Sequence, residues 1–313
     1  MKRLLITGYS GFVGNNLVEQ LQGNYQLNLL GRKQSSFGNV FTHNLDSSSL
    51  YSEALENVDV VLHCAARVHI MNDLSSDPLD EFRAVNTQGT LNLAKQAVQA
   101  GVKRFIFLSS IKVNGESTSR KAPFNASDKT AAEDPYGISK AEAEQQLLEL
   151  GKQTGMEIVI IRPPLVYGEG VKANFASLMR LVSKGLPLPF RYIKNNKRSL
   201  VSVYNLVDLI KVCIEHPKAA YQVFLASDDN DLSTAEMIAL MAKVQHKKNL
   251  ALPVPVWCFK LAGKLLNKND VVDRLIGSLQ LDITHTKNTL DWKPPYSVEH
   301  GFKLAAKKFP KIN

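Results

Sequence analysis

Residues 2–7 read as a buried strand, and they run without a break into Gly8-Tyr9-Ser10-Gly11-Phe12-Val13-Gly14 and a helical pattern through Leu17, Val18 and Leu21. A strand, a glycine turn and a helix in immediate succession leave few folds open. Glycines at such a junction let the backbone come close to a ligand, and the free N–H groups and dipole of the helix start favour a pyrophosphate. A glycine-rich turn alone is weak evidence. Directly after a first strand it points to a dinucleotide site, with Gly8, Gly11, Phe12, Val13 and Gly14 around the pyrophosphate.

Apolar strands then follow at residues 26–30, 40–43, 58–63, 102–108 and 157–161, alternating with helical patterns. The longest of these early on, residues 79–100, repeats Phe82, Val85, Leu91, Leu93, Ala94, Ala97 and Val98 at helical spacing. The alternation predicts an α/β fold, a Rossmann-type doubly wound parallel sheet with helices on both faces. Past residue 168 the pattern changes to helices at 175–184, 205–216 and 233–243 around short strands near 199–203 and 222–226, with Pro187, Pro189, Pro253 and Pro255 in the turns. The expected organisation is a dinucleotide-binding domain over residues 1–168, which later segments are free to rejoin, and a smaller mixed α/β substrate subdomain over residues 169–313.

Ligands of doubly wound sheets gather outside the carboxyl ends of the strands. The second strand ends in Gly31-Arg32-Lys33. An acidic residue there would accept from a ribose 2′-hydroxyl, whereas Arg32 and Lys33 attract a 2′-phosphate, so the sequence leans to NADP(H) over NAD(H). Leu45 and Asp46 follow the third strand, and Asp46 suits either the adenine amino group or the cap of a following helix, with Ser47 to Ser49 beside it. After the fourth strand, the small residues Ala65 and Ala66 let the backbone pass close to a cofactor. His63 reads as a core histidine held by hydrogen bonds, since no second metal ligand is spaced with it and no metal site is expected. The fifth strand ends in Ser109-Ser110, and the polar residues 114–135 read as an excursion over the site.

Pro135 suits the first turn of a helix, and that helix, residues 136–154, opens with Tyr136-Gly-Ile-Ser-Lys140. Residues four apart meet on one helix face. A free tyrosine has a pKa of about 10 and is a poor base unless a nearby positive charge favours the phenolate, which Lys140 could supply. None of the other eight tyrosines has a lysine four residues later.

The net charge of +9 suits an anionic partner: nucleic acid, an acidic membrane surface or a phosphorylated small molecule. No aromatic-rich platform or zinc-finger spacing supports nucleic acid. The opening apolar run is too short for a signal peptide, and no later run has the length of a membrane span. Lys303, Lys307, Lys308 and Lys311 gather at the end as the solvated face of a last helix, with peripheral membrane contact left open. Cys64, Cys213 and Cys258 are few, odd in number and widely spaced, as expected of reduced thiols in a cytoplasmic protein.

Taken together, Thr7-Gly8-x-x-Gly11-x-x-Gly14, Ser110 and Tyr136-x-x-x-Lys140 resemble the extended short-chain dehydrogenase/reductases, in particular the nucleotide-sugar epimerase/dehydratase group, with the closest likeness to UDP-hexose 4-epimerases. The resemblance covers nearly the whole chain, including His63-Cys64-Ala65-Ala66, Arg162-Pro163-Pro164 with Val166-Tyr167-Gly168, and Leu290-Asp291-Trp292-Lys293-Pro294. It implies that Tyr136 is the acid/base and that Lys140 holds the nicotinamide ribose and keeps the phenol acidic. It implies that Ser110, in register with Val113-x-Gly115, donates to the substrate hydroxyl, with Ser109 in that role if the register slips by one. Asn86 and Pro163 join the expected cofactor contacts. Asn174 and Phe175 match a segment that grips the nucleotide, Phe190 falls where uridine is bound, and Arg198 and Arg274 match diphosphate-binding arginines. Two departures are the end of strand two, which lacks the acidic residue expected of an NAD enzyme, and Leu165, where several 4-epimerases have asparagine; Lys112 is in addition an extra cation facing the presumed sugar site. By analogy the chain is expected to be a homodimer through the 79–100 and 136–154 helices.

The implied activity is hydride transfer at C4 of a UDP-hexose or UDP-N-acetylhexosamine with NAD(P). The first reading is a UDP-sugar 4-epimerase working through a transient 4-keto sugar. The alternative is an NADPH-dependent 4-ketoreductase of a UDP-4-keto-(6-deoxy) sugar. Dehydration is less favoured, because it wants a further acid and base where Ile111, Lys112 and Val113 follow the serine. A non-catalytic NADP(H)-sensing module is expected to have lost catalytic residues, and here Ser110, Tyr136 and Lys140 are intact.

Overall fold

The computed structural model describes residues 1–68, 77–171 and 173–307. Lys308 and Lys311 of the C-terminal lysine group lie outside them. The first half contains β1 (Arg3–Thr7), α1 (Phe12–Leu21), β2 (Gln26–Gly31), β3 (Asn39–Thr42), β4 (Val60–His63), α2 (Pro78–Phe82) and α3 (Thr90–Gln99). It continues with β5 (Arg104–Leu108), α4 (Pro135–Thr154), β6 (Glu157–Arg162) and β7 (Leu165–Tyr167). The second half contains α5 (Ala173–Ser183), β8 (Leu200–Ser202), α6 (Val203–Glu215), β9 (Gln222–Leu225), α7 (Thr234–Val244), α8 (Val256–Leu265), α9 (Asn269–Ile276), α10 (Thr284–Leu290) and α11 (Val298–Ala306).

Seven strands form one parallel sheet in the order β3-β2-β1-β4-β5-β6-β9. The strand order reverses between β1 and β4, which opens a crevice at their carboxyl ends. Strands buried on both faces carry continuous apolar runs rather than alternation, as in Leu4-Leu5-Ile6 and Ile158-Val159-Ile160-Ile161. One face packs on α1 and α6, where Leu17, Val18, Leu206, Leu209 and Ile210 are buried with Leu4, Ile6 and Ile106. The other packs on α3 and α4 through Leu93, Ala94, Ala143 and Leu147 against Phe105, Phe107, Ile158 and Ile160.

Two elements differ from the sequence expectation. The strand near residues 222–226, read as part of the C-terminal subdomain, pairs with β6 from Val159↔Gln222 to Arg162↔Leu225 and becomes the seventh strand of the main sheet. Periodicity marks a strand but not its partner. The helix expected over residues 79–100 is not regular: α2 passes through a π-helical stretch, Arg83–Gly89, before α3. Within it Asn86 and Thr87 are buried and bonded, Thr87 Oγ1 donating to the Ser139 carbonyl at 2.9 Å. At its end Gly89 passes so close to Leu45 that a Cβ there would stand 3.0 Å from the Leu45 carbonyl carbon. Tertiary contacts of this kind accompany wide turns at functional sites.

Beyond the sheet, β7 and β8 form a two-stranded parallel sheet. A separate core gathers Tyr167, Phe175, Met179, Met241 and Phe302. The excursion of residues 114–135 is tied to the C-terminal part: the Phe124 N–H donates to the Gln280 carbonyl at 2.9 Å, and the Asp282 N–H to the Phe124 carbonyl at 2.8 Å. Its base is set by a buried ion pair. Arg162 Nε donates to both Glu144 carboxylate oxygens at 3.0 and 3.1 Å, and Nη1 donates to Asn114 Oδ1 at 2.9 Å, joining β6, α4 and the turn after Ser110. Among the described residues no helix is long and apolar enough to cross a membrane.

Candidate active site

Because the strands are parallel, Gly8, Gly31, the Cys64–Arg67 loop, Ser109, Ser110 and Pro163 all fall at one edge of the sheet. The glycine turn is sterically required. Gly8 has a φ of +68°, and a Cβ on it would lie 2.6 Å from the Ala65 nitrogen; on Gly14 it would lie 2.2 Å from the Gly8 carbonyl oxygen. The start of α1 at Gly11 has no side-chain cap and no acidic residue in its first turn. Its N–H groups at Phe12, Val13 and Gly14 therefore face outward with the positive end of the helix dipole. Ala65 and Ala66 are held beside the turn: Thr7 Oγ1 accepts from the Ala65 N–H at 3.2 Å and bonds His63 Nδ1 at 2.8 Å, while His63 Nε2 bonds Thr90 Oγ1 at 2.9 Å. His63 is a buried structural residue; burial, then the charge of Lys140, pushes its pKa down to about 3.

Asn86, which the resemblance places among the cofactor contacts, is tied to the loop after β4. Its Oδ1 accepts from the Arg67 N–H at 2.8 Å, and its Nδ2 donates to the Arg67 carbonyl at 3.0 Å and to Ser139 Oγ at 3.1 Å. Both amide donors are spent clamping the loop after β4 to α4. Asp46 resolves towards the local role, but around a turn and not a helix: its carboxylate accepts from the N–H groups of Ser48 and Ser49 at 2.9 and 2.7 Å, which hold it below the usual carboxylate range. Leu45 is half-buried against the core beside Gly89. Pro163 is buried, with its carbonyl accepting from the Ile111 N–H at 3.0 Å.

Arg32 and Lys33 are exposed at the end of β2. Lys33 lines an open cleft of about 390 Å³ with Ser10, Asn15, Gln34 and Ser35, and among the described residues no carboxylate lines it. The Tyr9 hydroxyl donates to the Lys33 carbonyl and fixes this segment against the glycine turn.

At the other end of the site, α4 begins at Pro135 with Asp134 as its cap, the Asp134 carboxylate accepting from the Gly137 N–H at 2.7 Å. Asp134 was missed in the sequence, although Asp before Pro at the head of a helical pattern is a start signal. It raises the Tyr136 phenol. Burial does so most, Asp134 adds to it, a hydrogen bond with Ser110 opposes it, and the result stands at about 12. Ser110 also accepts from the Lys112 N–H at 3.3 Å, which caps the short 3-10 turn Ile111–Val113. Ser109 is buried, and its hydroxyl has no hydrogen-bond partner among the described residues.

Lys140 is fully buried. Its Nζ donates to the Leu108 carbonyl at 2.9 Å and lies 4.2 Å from the centre of the Phe107 ring. Burial pushes its pKa down to about 8, with Cys64 and Glu144 working the other way. The Cys64 thiol is pushed up to about 12 by burial. The sequence assigns Lys140 to keeping Tyr136 acidic; its ammonium is turned to the end of β5, and burial raises the phenol. An ammonium with three N–H donors, one of them engaged by the Leu108 carbonyl, fits the hydroxyls of a cofactor ribose, as the glycine cradle fits a pyrophosphate.

The substrate-side residues divide. Arg198 is half-buried; burial and then the charge of Arg274 lower its pKa. Arg198 Nη1 donates to the Gly277 carbonyl at 3.4 Å and Arg274 Nε to the Asp270 carbonyl at 3.1 Å, and neither pairs with a carboxylate among the described residues. Asn174 is exposed in the first turn of α5. Phe175 is buried against Tyr167 and Phe302, each at 5.3 Å between ring centres, so its side chain belongs to the core. Phe190 is likewise buried, stacked 5.9 Å from Phe259. Lys112 is no spare cation: burial disfavours its charge, but bonds to Asp134 and to Glu116 (2.8 Å) outweigh this.

A sheet of this order with a glycine turn at its switch point is a dinucleotide-binding architecture, and a tyrosine and buried lysine at the same edge place it among the enzymes built on it. Residues 4–225 match the NAD dependent epimerase/dehydratase family, and the chain belongs to that family. It is 56% identical to UDP-glucose 4-epimerase of Vibrio cholerae, with 100% of this chain and 97% of that protein covered. It is 28% identical to N-acetyl-alpha-D-glucosaminyl-diphospho-ditrans,octacis-undecaprenol 4-epimerase of Escherichia coli O157:H7, covering 95% and 92%. The solved UDP-glucose 4-epimerase of Thermotoga maritima with UDP-glucose shares the fold, with a TM-score of 0.79 at 21% identity over 98% of both chains.

Proposed function

We propose that this chain is a UDP-sugar 4-epimerase using a nicotinamide dinucleotide. The observation that carries the reading is Tyr136 beside Ser110 at the carboxyl edge of the sheet, in a chain 56% identical along its whole length to a UDP-glucose 4-epimerase. A bound nicotinamide would supply the hydride acceptor for C4 and the hydride for its return. Tyr136 accepts the proton of the sugar 4-hydroxyl and gives it back, and Ser110 holds that oxygen throughout. For this Tyr136 must first ionise, which from a pKa near 12 requires positive charge brought close to it on ligand binding. Lys140, on the same face of α4, is the chain's own source of that charge. Arg198 and Arg274 hold the diphosphate, and the 4-keto sugar turns over between the two transfers.

A specific observation supports a second reading. The cleft at the end of β2 is lined by Lys33, Ser10 and Ser35 with Arg32 adjacent and, among the described residues, no carboxylate, which favours a 2′-phosphate and hence NADP(H). With NADPH the same site is a 4-ketoreductase, and a Tyr136 that stays protonated is the acid it needs. In either case residues 1–168, with β9, serve the cofactor and residues 169–313 mainly the substrate. Free Cys64, Cys213 and Cys258 suit a reducing cytoplasm, and the helical segments over residues 79–100 and 136–154 are those on which a homodimer would form.

The test is to release and identify any dinucleotide that purifies with the protein, and then to follow UDP-galactose and UDP-N-acetylgalactosamine for conversion to their gluco epimers. Interconversion with tightly held NAD supports the epimerase. An empty site that takes NADPH and consumes it only with a 4-keto sugar would establish the reductase instead.

A further inference from the structure

The helix α8 packs on the C-terminal core through Val256 and Phe259 and on Val272 of α9 through the buried Gly263, and its other face is exposed. Trp257, Leu261 and Leu265 recur four apart on one face and are 65%, 51% and 76% exposed, and Leu266 in the turn that follows is 68% exposed. Solvent-facing apolar side chains at helical spacing on this scale mark a contact surface rather than scattered exposure. Lys260 and Lys264 repeat at the same spacing one position earlier, and Lys268 continues the row past the end of the helix; all three are exposed. No aspartate or glutamate occurs from residue 246 to residue 269.

We propose that this face of α8 docks on an anionic phospholipid surface. A tryptophan and leucines on one side of a short helix, with lysines flanking them and no acid, are the chemistry of a helix that lies in the headgroup layer. The apolar side chains enter the acyl boundary and the lysines meet the lipid phosphates. A protein partner would cover the apolar stripe and the lysine row together only if it set acidic side chains in register with both, whereas an anionic bilayer supplies the apolar layer and the phosphates without register. The charge pattern therefore selects the membrane. Docking brings α9, which packs on α8 and carries Arg274, one helix away from the surface. The proposal stands apart from the direction of the hydride chemistry.

The full chain is sedimented with vesicles of phosphatidylcholine alone and of phosphatidylcholine containing phosphatidylglycerol. Binding is expected to the anionic vesicles only, weakening as salt is raised. The emission of Trp257, isolated by Trp292→Phe since Trp292 is the buried one of the two tryptophans, is expected to move to shorter wavelength. Leu261→Asp with Leu265→Asp, and separately Lys260→Glu with Lys264→Glu, should each weaken vesicle binding by about tenfold or more with the circular dichroism spectrum unchanged. No binding to anionic vesicles overturns the proposal. So does binding that survives both double variants, which would assign the contact to the C-terminal lysines. A Trp257 shift that follows protein concentration without vesicles, abolished with a dimer by the leucine variants, would make the face an interface between two copies and also overturn it.

Discussion

The ammonium of Lys140 donates to the main-chain carbonyl of Leu108 at 2.9 Å, from a fully buried position at the end of the strand that leads into Ser109 and Ser110. The lysine that local spacing pairs with Tyr136 is thus anchored to the sheet before any ligand arrives. Its charge is costly there. That cost makes the site sensitive to pH and to the arrival of ligand hydroxyls.

With a pKa near 8 instead of the ordinary 10.5, Lys140 keeps its charge at neutral pH and loses it as pH rises through about 8. Dinucleotide affinity measured by fluorescence titration is therefore expected to be level up to pH 8 and to fall above it. Lys140→Met should bind weakly with no such pH step. The sign for stability is opposite: the burial cost is fully present below pH 8 and is relieved between 8 and 10.5, so this group makes the folded state more stable as pH rises there. An affinity midpoint near 10 would falsify the assignment.

Replacing Tyr136 by Phe removes the proton carrier and leaves the ring in place beside Phe82, 6.1 Å away between centres. Turnover should drop by about 10²- to 10⁴-fold while dinucleotide affinity barely changes. Stopped-flow turnover and equilibrium titration on the same preparation check both halves, and a variant with most of its activity would remove Tyr136 from the mechanism.

Gly14→Ala puts a methyl 2.2 Å from the Gly8 carbonyl oxygen and 2.7 Å from the Tyr9 Cα, both main-chain atoms that cannot swing aside. A loss of about 1–3 kcal/mol is expected, together with loss of dinucleotide binding. Gly11→Ala, whose nearest such atom is 3.1 Å away, should be milder. Urea unfolding of the two variants side by side gives the order, and equal midpoints would contradict the steric argument.

Arg162→Met strands Glu144 in the interior without its partner. Breaking a buried pair from one side costs about 3–5 kcal/mol, whereas replacing both members by apolar residues is often neutral. Urea unfolding should show Arg162→Met strongly destabilised and Arg162→Met/Glu144→Leu largely restored. If the single variant unfolds at the wild-type midpoint, the pair is not holding β6 to α4.

Much of the cofactor half was legible before any fold was known. The glycine turn, the alternation of strands with helices, and the helix beginning at Pro135 depend on φ restrictions and periodicities within a few residues. His63 was also read correctly as a core residue, because a histidine without a second spaced ligand has little else to do in a buried strand. The substrate half was less legible. Phe175 and Phe190 match a nucleotide-gripping pattern by position, yet their rings are drawn into the C-terminal core by Tyr167, Phe302 and Phe259.

By itself the sequence determined a dinucleotide-binding parallel sheet with a Tyr–Lys pair on one helix face, since those features follow from local geometry. Only the tertiary structure decided the rest: that β9 joins the main sheet, that the Asn86 amide bonds the Arg67 backbone, that Lys112 is paired with Asp134 and Glu116, and that burial raises the Tyr136 phenol. Each depends on burial and on charges summed over residues far apart in the chain. Sequence spacing contains no term for either.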